Sequence, residues 1–173
     1  MVGIGSTDAH EFHVAGLTLA PYTAMFQLIR THLLVPSKTL TPESAYEALR
    51  KGHAYFSIEL LAAANGFAFI AERRHQVRGV MGDDVDVEPD LQLTVSLPAP
   101  AQLALFKDGQ LVDTTTAAAW QVPAAAPGVY RIEASRFGKP WIFSNPIYIH
   151  PAPPAPPATP PEPVVQAPNA QTN

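Results

Sequence analysis

Hydrophobic and polar residues alternate with a period of two along most of the chain after residue 54. The alternating or largely apolar runs lie at residues 56–60, 67–71, 91–97, 103–105, 129–134 and 141–149. Asp108-Gly109 between two apolar runs is a strong β-hairpin signal, and Pro127-Gly128 marks another turn. Pro146 places the last run at a sheet edge or a bulge, because proline lacks the backbone donor. Short strands separated by regular turns predict a mainly antiparallel, two-sheet β-sandwich over residues 54–150.

The pattern before residue 54 predicts one clear helix. It starts with Thr41 as the N-cap and Pro42 at the first helical position, and Gly52 ends it. Its apolar face has helical spacing and consists of Ala45, Ala48 and Leu49. We also expect a weaker helix or turn over residues 21–29 and a short strand over 31–35.

The end of the chain, residues 151–173, reads PAPPAPPATPPEPVVQAPNAQTN. Such a composition buries too little apolar area to offset the entropy lost on ordering, so the sequence predicts a disordered tail with polyproline-II character. A ligand for SH3-like domains or a spacer is the functional alternative to a plain solvated terminus.

Composition narrows the possible partners. Hydrophobic residues make up 47% of the chain and charged residues 15%, which is enough for a packed core. The formal net charge is −4 and the basic residues are scattered, so we expect no nucleic-acid partner. The chain has no cysteine, which excludes disulfides and thiolate metal sites. Neither a transmembrane run nor a signal peptide is predicted, and the compartment stays unknown.

The segment around Asp8 carries the most distinctive chemistry. Asp8 and His10 stand two positions apart, so on an extended strand end their side chains point to the same face. A carboxylate and an imidazole together suit zinc, manganese or iron(II). By itself the pair is also compatible with an ordinary polar loop. Glu11 and His13 could reach the same site, although solvated side chains are the simpler interpretation.

Three further segments carry longer motifs. GSTDAH occupies residues 5–10, AYEALRKGHAYFS occupies 45–57, and PGVYRIE at 127–133 is followed by WIFSNPIY at 141–148. Together they resemble the carboxyl-terminal part of PHP-domain proteins, in particular metal-dependent hydrolases of the carbaryl-hydrolase type. The family motifs are usually written G-S-D-A-H, ALR-x-G-x-x-Y-x-S and PGVYRVE … PWI-x-SNPIY. The last resemblance is the most specific, because the motif is long and unusual.

The resemblance implies an α+β fragment with three parts. Residues 1–53 would be the end of a PHP-type β/α barrel, residues 54–150 a β-sandwich accessory domain, and residues 151–173 the disordered proline-rich tail. In the family, two or three divalent metals in the barrel activate water for attack on a phosphoester or related ester. Asp8 and His10 match that metal set here, whereas Thr7 is an extra residue in the motif.

The rest of the family's metal set is absent from this chain. There is no H-x-H motif, and the earlier barrel strands are missing. Two ligands do not complete a metal site, so we expect the isolated chain to bind zinc, manganese or iron weakly and to turn over little. Its partners would be the missing upstream barrel segment or a small-molecule ester substrate. The alternative is a non-catalytic β-sandwich that binds or supports another molecule and only inherited the motif.

Other candidates have simpler interpretations. The acidic run at residues 82–90 invites a calcium site but lacks the EF-hand order, so a solvated loop is favoured. The isolated residues His32, His53, His75 and His150 are expected to be structural. Trp120 and Trp141 are expected in the sandwich core, and Asn145-Pro146 in a strand kink with local side-chain-to-backbone bonding.

Overall fold

The computed structural model describes residues 2–153. The strands are β1 (Phe12–Val14), β2 (Leu17–Leu19), β3 (Ile29–Leu33), β4 (Ala54–Ile58), β5 (Ala68–Arg73), β6 (Gln76–Val80), β7 (Asp84–Asp86), β8 (Gln92–Lys107), β9 (Gln110–Pro123), β10 (Gly128–Arg136), β11 (Lys139–Ser144) and β12 (Ile147–His150). The helices are α1 (Tyr22–Met25) and α2 (Pro42–Lys51). The predicted tail lies outside the described residues, apart from its first three positions.

Most strands belong to one mainly antiparallel sheet. Its order is β3-β4-β11-β10-β8-β5-β6, with β9 along β8, and β12 pairing with both β10 and β7. The β12–β7 pair is parallel. The strands β1 and β2 form a separate two-stranded hairpin near the amino-terminal end of the described chain.

The long strand β8 gives the fold its sandwich-like form. Its first part pairs with β5 over residues 92–96, and its last part pairs with β10 over residues 102–107. Pairing with β9 is interrupted between Ser96 and Ala101, a stretch that contains Pro98 and Pro100. Prolines cannot donate to a ladder, so the sheet changes partners there.

The hydrophobic core lies between these two parts of the sheet. Its largest fully buried members are Trp141, Phe69, Met81, Leu93, Leu103, Ile132, Ile142 and Ile147. Every buried residue of this cluster lies between Tyr55 and Ile149. The indole N–H of Trp141 donates to the carbonyl oxygen of Ala62 over 2.8 Å, which satisfies the one polar group of the ring. The sandwich therefore carries its own core.

Local sequence signals explain the elements that were predicted best. Asp108 and Gly109 both have positive φ, 51° and 83°, as the tight hairpin between β8 and β9 requires. Thr41 and Ser44 form a reciprocal capping box at the start of α2, with Pro42 in the first turn. Gly52 ends the helix with a left-handed φ of 79°.

The mainly antiparallel, sandwich-like fold is confirmed, with differences in detail. The run at residues 141–149 was predicted as one strand, but Asn145-Pro146 divides it into β11 and β12. The acidic run at residues 82–90, predicted as a loop, contains the short strand β7. Both differences come from pairing with strands that are distant in sequence, which a local pattern does not report.

The β/α barrel remnant and the domain boundaries stay predictions. The predicted boundary after residue 53 falls between α2 and β4. Strand β3 pairs with β4 across it, from Ile29 opposite Ile58 to Leu33 opposite Ala54.

Candidate metal centre

Asp8 and His10 lie side by side on an exposed loop before β1. The Asp8 Oδ1 atom is 3.8 Å from His10 Nδ1, and the two side chains are 96% and 65% exposed. Asp8 has a φ of 48°, in the left-handed region that aspartate tolerates better than most residues. Its backbone N–H donates to Ser6 Oγ over 3.3 Å. The bend that contains Thr7 therefore presents the Asp8 carboxylate to solvent.

A backbone contact sets the tautomer of His10. His10 Nδ1 lies 2.7 Å from the Asp8 carbonyl oxygen. A carbonyl oxygen only accepts, so Nδ1 carries the hydrogen and the neutral ring keeps its lone pair on Nε2. Histidine ligands of metals commonly donate their other N–H to a backbone carbonyl in this way. The chemistry of this donor pair therefore fits a divalent cation held through His10 Nε2 and the Asp8 carboxylate.

The start of this loop is anchored to the sandwich. Gly3 N–H donates to Asn145 Oδ1 over 2.6 Å, and Asn145 Nδ2 donates to Gly3 O over 3.2 Å. Thr31 Oγ1 accepts from Gly5 N–H and donates to Gly5 O, each over 3.1 Å. Gly5 packs so closely that an added Cβ would stand 2.7 Å from the Cβ of Phe56. Residue 5 must therefore be glycine for this backbone to lie against the sheet.

The neighbouring polar residues face different partners. Glu11 Oε2 accepts from the Tyr22 N–H, and Glu11 Oε1 lies 3.2 Å from His13 Nε2. The other ring nitrogen of His13 contacts Thr18 Oγ1 over 3.3 Å. His13 is thus engaged within the hairpin. Its side chain is 70% exposed, as predicted, whereas that of Glu11 is only 24% exposed.

The metal pair stands alone within the described chain. Residues 2–153 contain no group of three or more His, Asp or Glu side chains arranged to hold a metal ion. Asp8 and His10 supply two donors, and a structural or catalytic site needs at least three from protein.

Beside this pair lies an exposed apolar face, which we call the hairpin face. It consists of Phe12, Val14, Leu17 and Leu19, which are 50–67% exposed. The register pairs Phe12 with Leu19 and Val14 with Leu17, so all four side chains point to one side of the β1–β2 hairpin. Nearby, the rings of Tyr22 and Phe26 stack at 5.8 Å and are 45% and 63% exposed. An isolated two-stranded hairpin is marginal in water, so this face requires a covering surface.

Sequence reasoning missed a polar cluster at the β3–β4 pair. The His32 Nε2 atom lies 2.8 Å from Ser57 Oγ and 3.2 Å from Glu59 Oε1, and Ser57 Oγ donates to Glu59 over 2.6 Å. The Ala64 N–H donates to the same carboxylate. Burial alone would raise the pKa of Glu59, but these hydrogen bonds outweigh it and hold the pKa below its ordinary value.

The cluster is built as a structural network. One imidazole nitrogen meets both Ser57 and Glu59, whereas a nucleophilic triad needs the serine and the carboxylate on opposite nitrogens. Ser57 is fully buried. The ring of Tyr55 stacks on His32 at 4.4 Å, and its hydroxyl donates to Ala64 O. Burial raises the pKa of Tyr55 to about 12, and the charge of Glu59 adds to this.

The remaining histidine–carboxylate contacts involve the acidic run. His53 Nε2 lies 2.7 Å from Asp83 Oδ1, and His150 Nε2 lies 2.5 Å from Asp84 Oδ1. Glu88 accepts from Arg73. These carboxylates meet side chains from the sandwich, so the run joins strands rather than wrapping one cation. The solvated-loop interpretation therefore fits better than a calcium loop.

Two surface grooves flank the anchored loop without including the metal pair. One, of about 490 Å³, lies between α2 and the end of β3, with Lys51 and His53 on its wall. The other, of about 330 Å³, borders Gly3, Asn145 and Arg131. Neither is lined by Asp8 or His10.

Within residues 2–153, no helix has the length and apolar character needed to cross a bilayer. Comparison with models of known protein families, with curated proteins and with solved structures found no match.

Proposed function

We propose that the chain is the carboxyl-terminal portion of a PHP-type metal-dependent hydrolase acting on a phosphoester or related ester. Asp8 and His10 would supply two ligands to zinc, manganese or iron(II), and the upstream barrel segment would supply the others. The observation that carries the proposal is the solvent-facing pair itself, with the His10 tautomer set by the Asp8 carbonyl.

The motif segments also meet in space, which supports the proposal. Gly3 at the start of the first segment bonds to Asn145 in the last, and Asn145 Nδ2 also donates to Ala54 O in the middle one over 2.9 Å. Segments that resemble one family by separate motifs are thus packed as one unit.

The hairpin face supports an incomplete catalytic domain. Its four apolar side chains continue directly from the loop that bears Asp8 and His10. A surface that covers this face would stand next to the metal pair. The same added segment could therefore supply both the apolar cover and the missing ligands.

The chain's own residues would hold and orient the site. Asp8 would offer an anionic oxygen, and His10 would offer Nε2 while its Nδ1–H stays on the Asp8 carbonyl. A divalent metal bound there supplies Lewis acidity and lowers the pKa of water.

The test begins with the coding DNA upstream of Met1. An open frame that encodes an H-x-H motif would be expressed together with this chain. Hydrolysis of p-nitrophenyl phosphate, bis-p-nitrophenyl phosphate and p-nitrophenyl acetate would then be measured with Zn²⁺ or Mn²⁺. We expect Asp8→Ala and His10→Ala to lower the metal-dependent rate by more than about 100-fold, since even outer partners of metal ligands are worth 10–100-fold.

His13→Ala is the matched control, because His13 lies on the same segment and contacts Glu11 and Thr18. Its rate should stay near that of the unmodified protein. A stop codon shortly before Met1 with no such motifs nearby, or full activity in both Asp8→Ala and His10→Ala, would remove the proposal.

A second candidate is a non-catalytic β-sandwich that binds or supports another molecule. The observation in its favour is that every buried member of the core lies between Tyr55 and Ile149. This candidate predicts that residues 1–40 are dispensable. Limited proteolysis would then leave a stable product that starts near residue 54 and keeps its melting temperature. Protection of the amino-terminal segment would argue against it.

A further inference from the structure

The side chain of Asn145 joins three stretches of backbone. It is 3% exposed and makes three hydrogen bonds, all with backbone atoms. Its Oδ1 accepts from Gly3 N–H, while its Nδ2 donates to Gly3 O and to Ala54 O. Gly3 and Asn145 are 142 residues apart in sequence. The expected local bonding at Asn145-Pro146 is therefore replaced by a long-range contact.

The chemistry of this contact requires an amide. An amide has one acceptor oxygen and two donor hydrogens, and both polar atoms of the Asn145 side chain are used. Pairing with both the N–H and the C=O of Gly3 imitates one rung of a β-ladder. An aspartate at this position would keep the acceptor but would lose both donated bonds, one of them to the fully buried residue Ala54.

Thr31 repeats the arrangement two residues further along the loop. Its hydroxyl pairs with both the N–H and the C=O of Gly5. The backbone is thus held at Gly3 and Gly5, and Asp8 follows three residues later. The only other contact that orders this bend by hydrogen bonding is the Asp8 N–H to Ser6 Oγ bond within the loop.

We propose that Asn145 is a positioning residue for the metal pair, with Thr31 as its second anchor. Together they hold the root of the loop so that the Asp8 carboxylate and His10 Nε2 stand in one place for a cation. This inference rests on the proposed role of Asp8 and His10. It assigns to the end of the sandwich a part in shaping a site that is distant in sequence.

The experiment uses the full 173-residue chain and Co²⁺ alone, followed by visible absorption up to millimolar metal. Asn145→Asp should weaken Co²⁺ binding about tenfold, the lower end of the range for residues that orient metal ligands. Asn65→Asp makes the same chemical change at an exposed turn position and should leave the affinity unchanged.

Thr31 provides a milder pair in case Asn145→Asp folds poorly. Thr31→Val removes the hydroxyl with little change of shape and should weaken Co²⁺ binding several-fold. Thr31→Ser keeps the hydroxyl and should restore both the affinity and the absorption spectrum. A purely structural role would lower the melting temperature without this rescue of the spectrum.

The outcomes separate the two proposals. Co²⁺ binding that is lost in Asp8→Ala and His10→Ala but unchanged in Asn145→Asp and Thr31→Val would overturn the positioning role alone. Co²⁺ binding that is the same with and without Asp8 and His10 would overturn both proposals.

Discussion

Replacing Glu59 with glutamine removes one negative charge from the polar cluster on β3 and β4 and keeps an acceptor oxygen in place. The side chain of Glu59 is 8% exposed, and that of its neighbour His32 is 14% exposed. Glu59 Oε1 accepts from Ser57 Oγ over 2.6 Å, and has longer contacts of 3.2 Å with His32 and 3.3 Å with the Ala64 amide. The substitution therefore changes the strength of these bonds more than their number.

The magnitude follows from the charge on the acceptor. Hydrogen bonds to a charged group contribute about 1.5–3 kcal/mol and neutral ones about 0.5–1.5 kcal/mol. Only the bond from Ser57 is short enough to show most of this difference. We expect Glu59→Gln to lower the free energy of unfolding at neutral pH by about 1–2 kcal/mol.

The pH dependence gives a second, independent readout. Burial opposes ionisation of Glu59, but the hydrogen bonds from Ser57, Ala64 and His32 hold its pKa in the folded protein below the ordinary value of 4.5. As pH falls through 4.5, the unfolded chain binds this proton first, so the stabilisation by Glu59 is lost progressively toward its folded pKa. The stability difference between the unmodified protein and Glu59→Gln should be largest above this window and shrink in acid.

Urea unfolding followed by tryptophan fluorescence, at neutral pH and at several acidic pH values, measures this difference. Subtracting the two proteins cancels the other carboxylates, which titrate in both. Glu43→Gln is the control, because Glu43 is exposed in the first turn of α2, and its replacement should cost about 0.5 kcal/mol. Equal stability of Glu59→Gln and the unmodified protein, or a difference that persists unchanged in acid, would refute the reasoning.

Two further substitutions test the packing. Trp141→Ala should lower the free energy of unfolding by about 3–5 kcal/mol, because Trp141 is fully buried, whereas Phe137→Ala should cost under about 1 kcal/mol since Phe137 is 82% exposed; similar melting temperatures for both would contradict the assigned core. Gly82→Ala should cost more than Gly66→Ala, although both glycines have φ above 90°, because only at Gly82 would the new Cβ stand 2.2 Å from a backbone oxygen, that of Lys51. Equal losses in urea unfolding would show that the turn relaxes.

Much of the secondary structure could be predicted because its causes are local. The period-two alternation defined most of the sandwich strands, and Asp108-Gly109 defined a hairpin through its two positive φ angles. The start and end of α2 followed from Thr41 and Gly52, whose side-chain chemistry acts on the nearest backbone groups. The β1–β2 hairpin was missed although Ala15-Gly16, a two-residue turn, was its signal.

The candidate site divides in the same way. Asp8 and His10 were found from sequence because they are two residues apart and their chemistry is visible in any extended loop. The anchoring of that loop by Asn145 and Thr31 was not visible, since Gly3 and Asn145 are 142 residues apart. Nothing in a local window reports such a contact.

The sequence by itself determined where strands, turns and α2 form, because hydrophobic period, φ preference and capping act over a few residues. Only the tertiary structure decided that β3 joins β4, that His32 meets Glu59, and that one run divides at Asn145. The physical reason is that sheet order and register come from burying many distant strands at once around a single core.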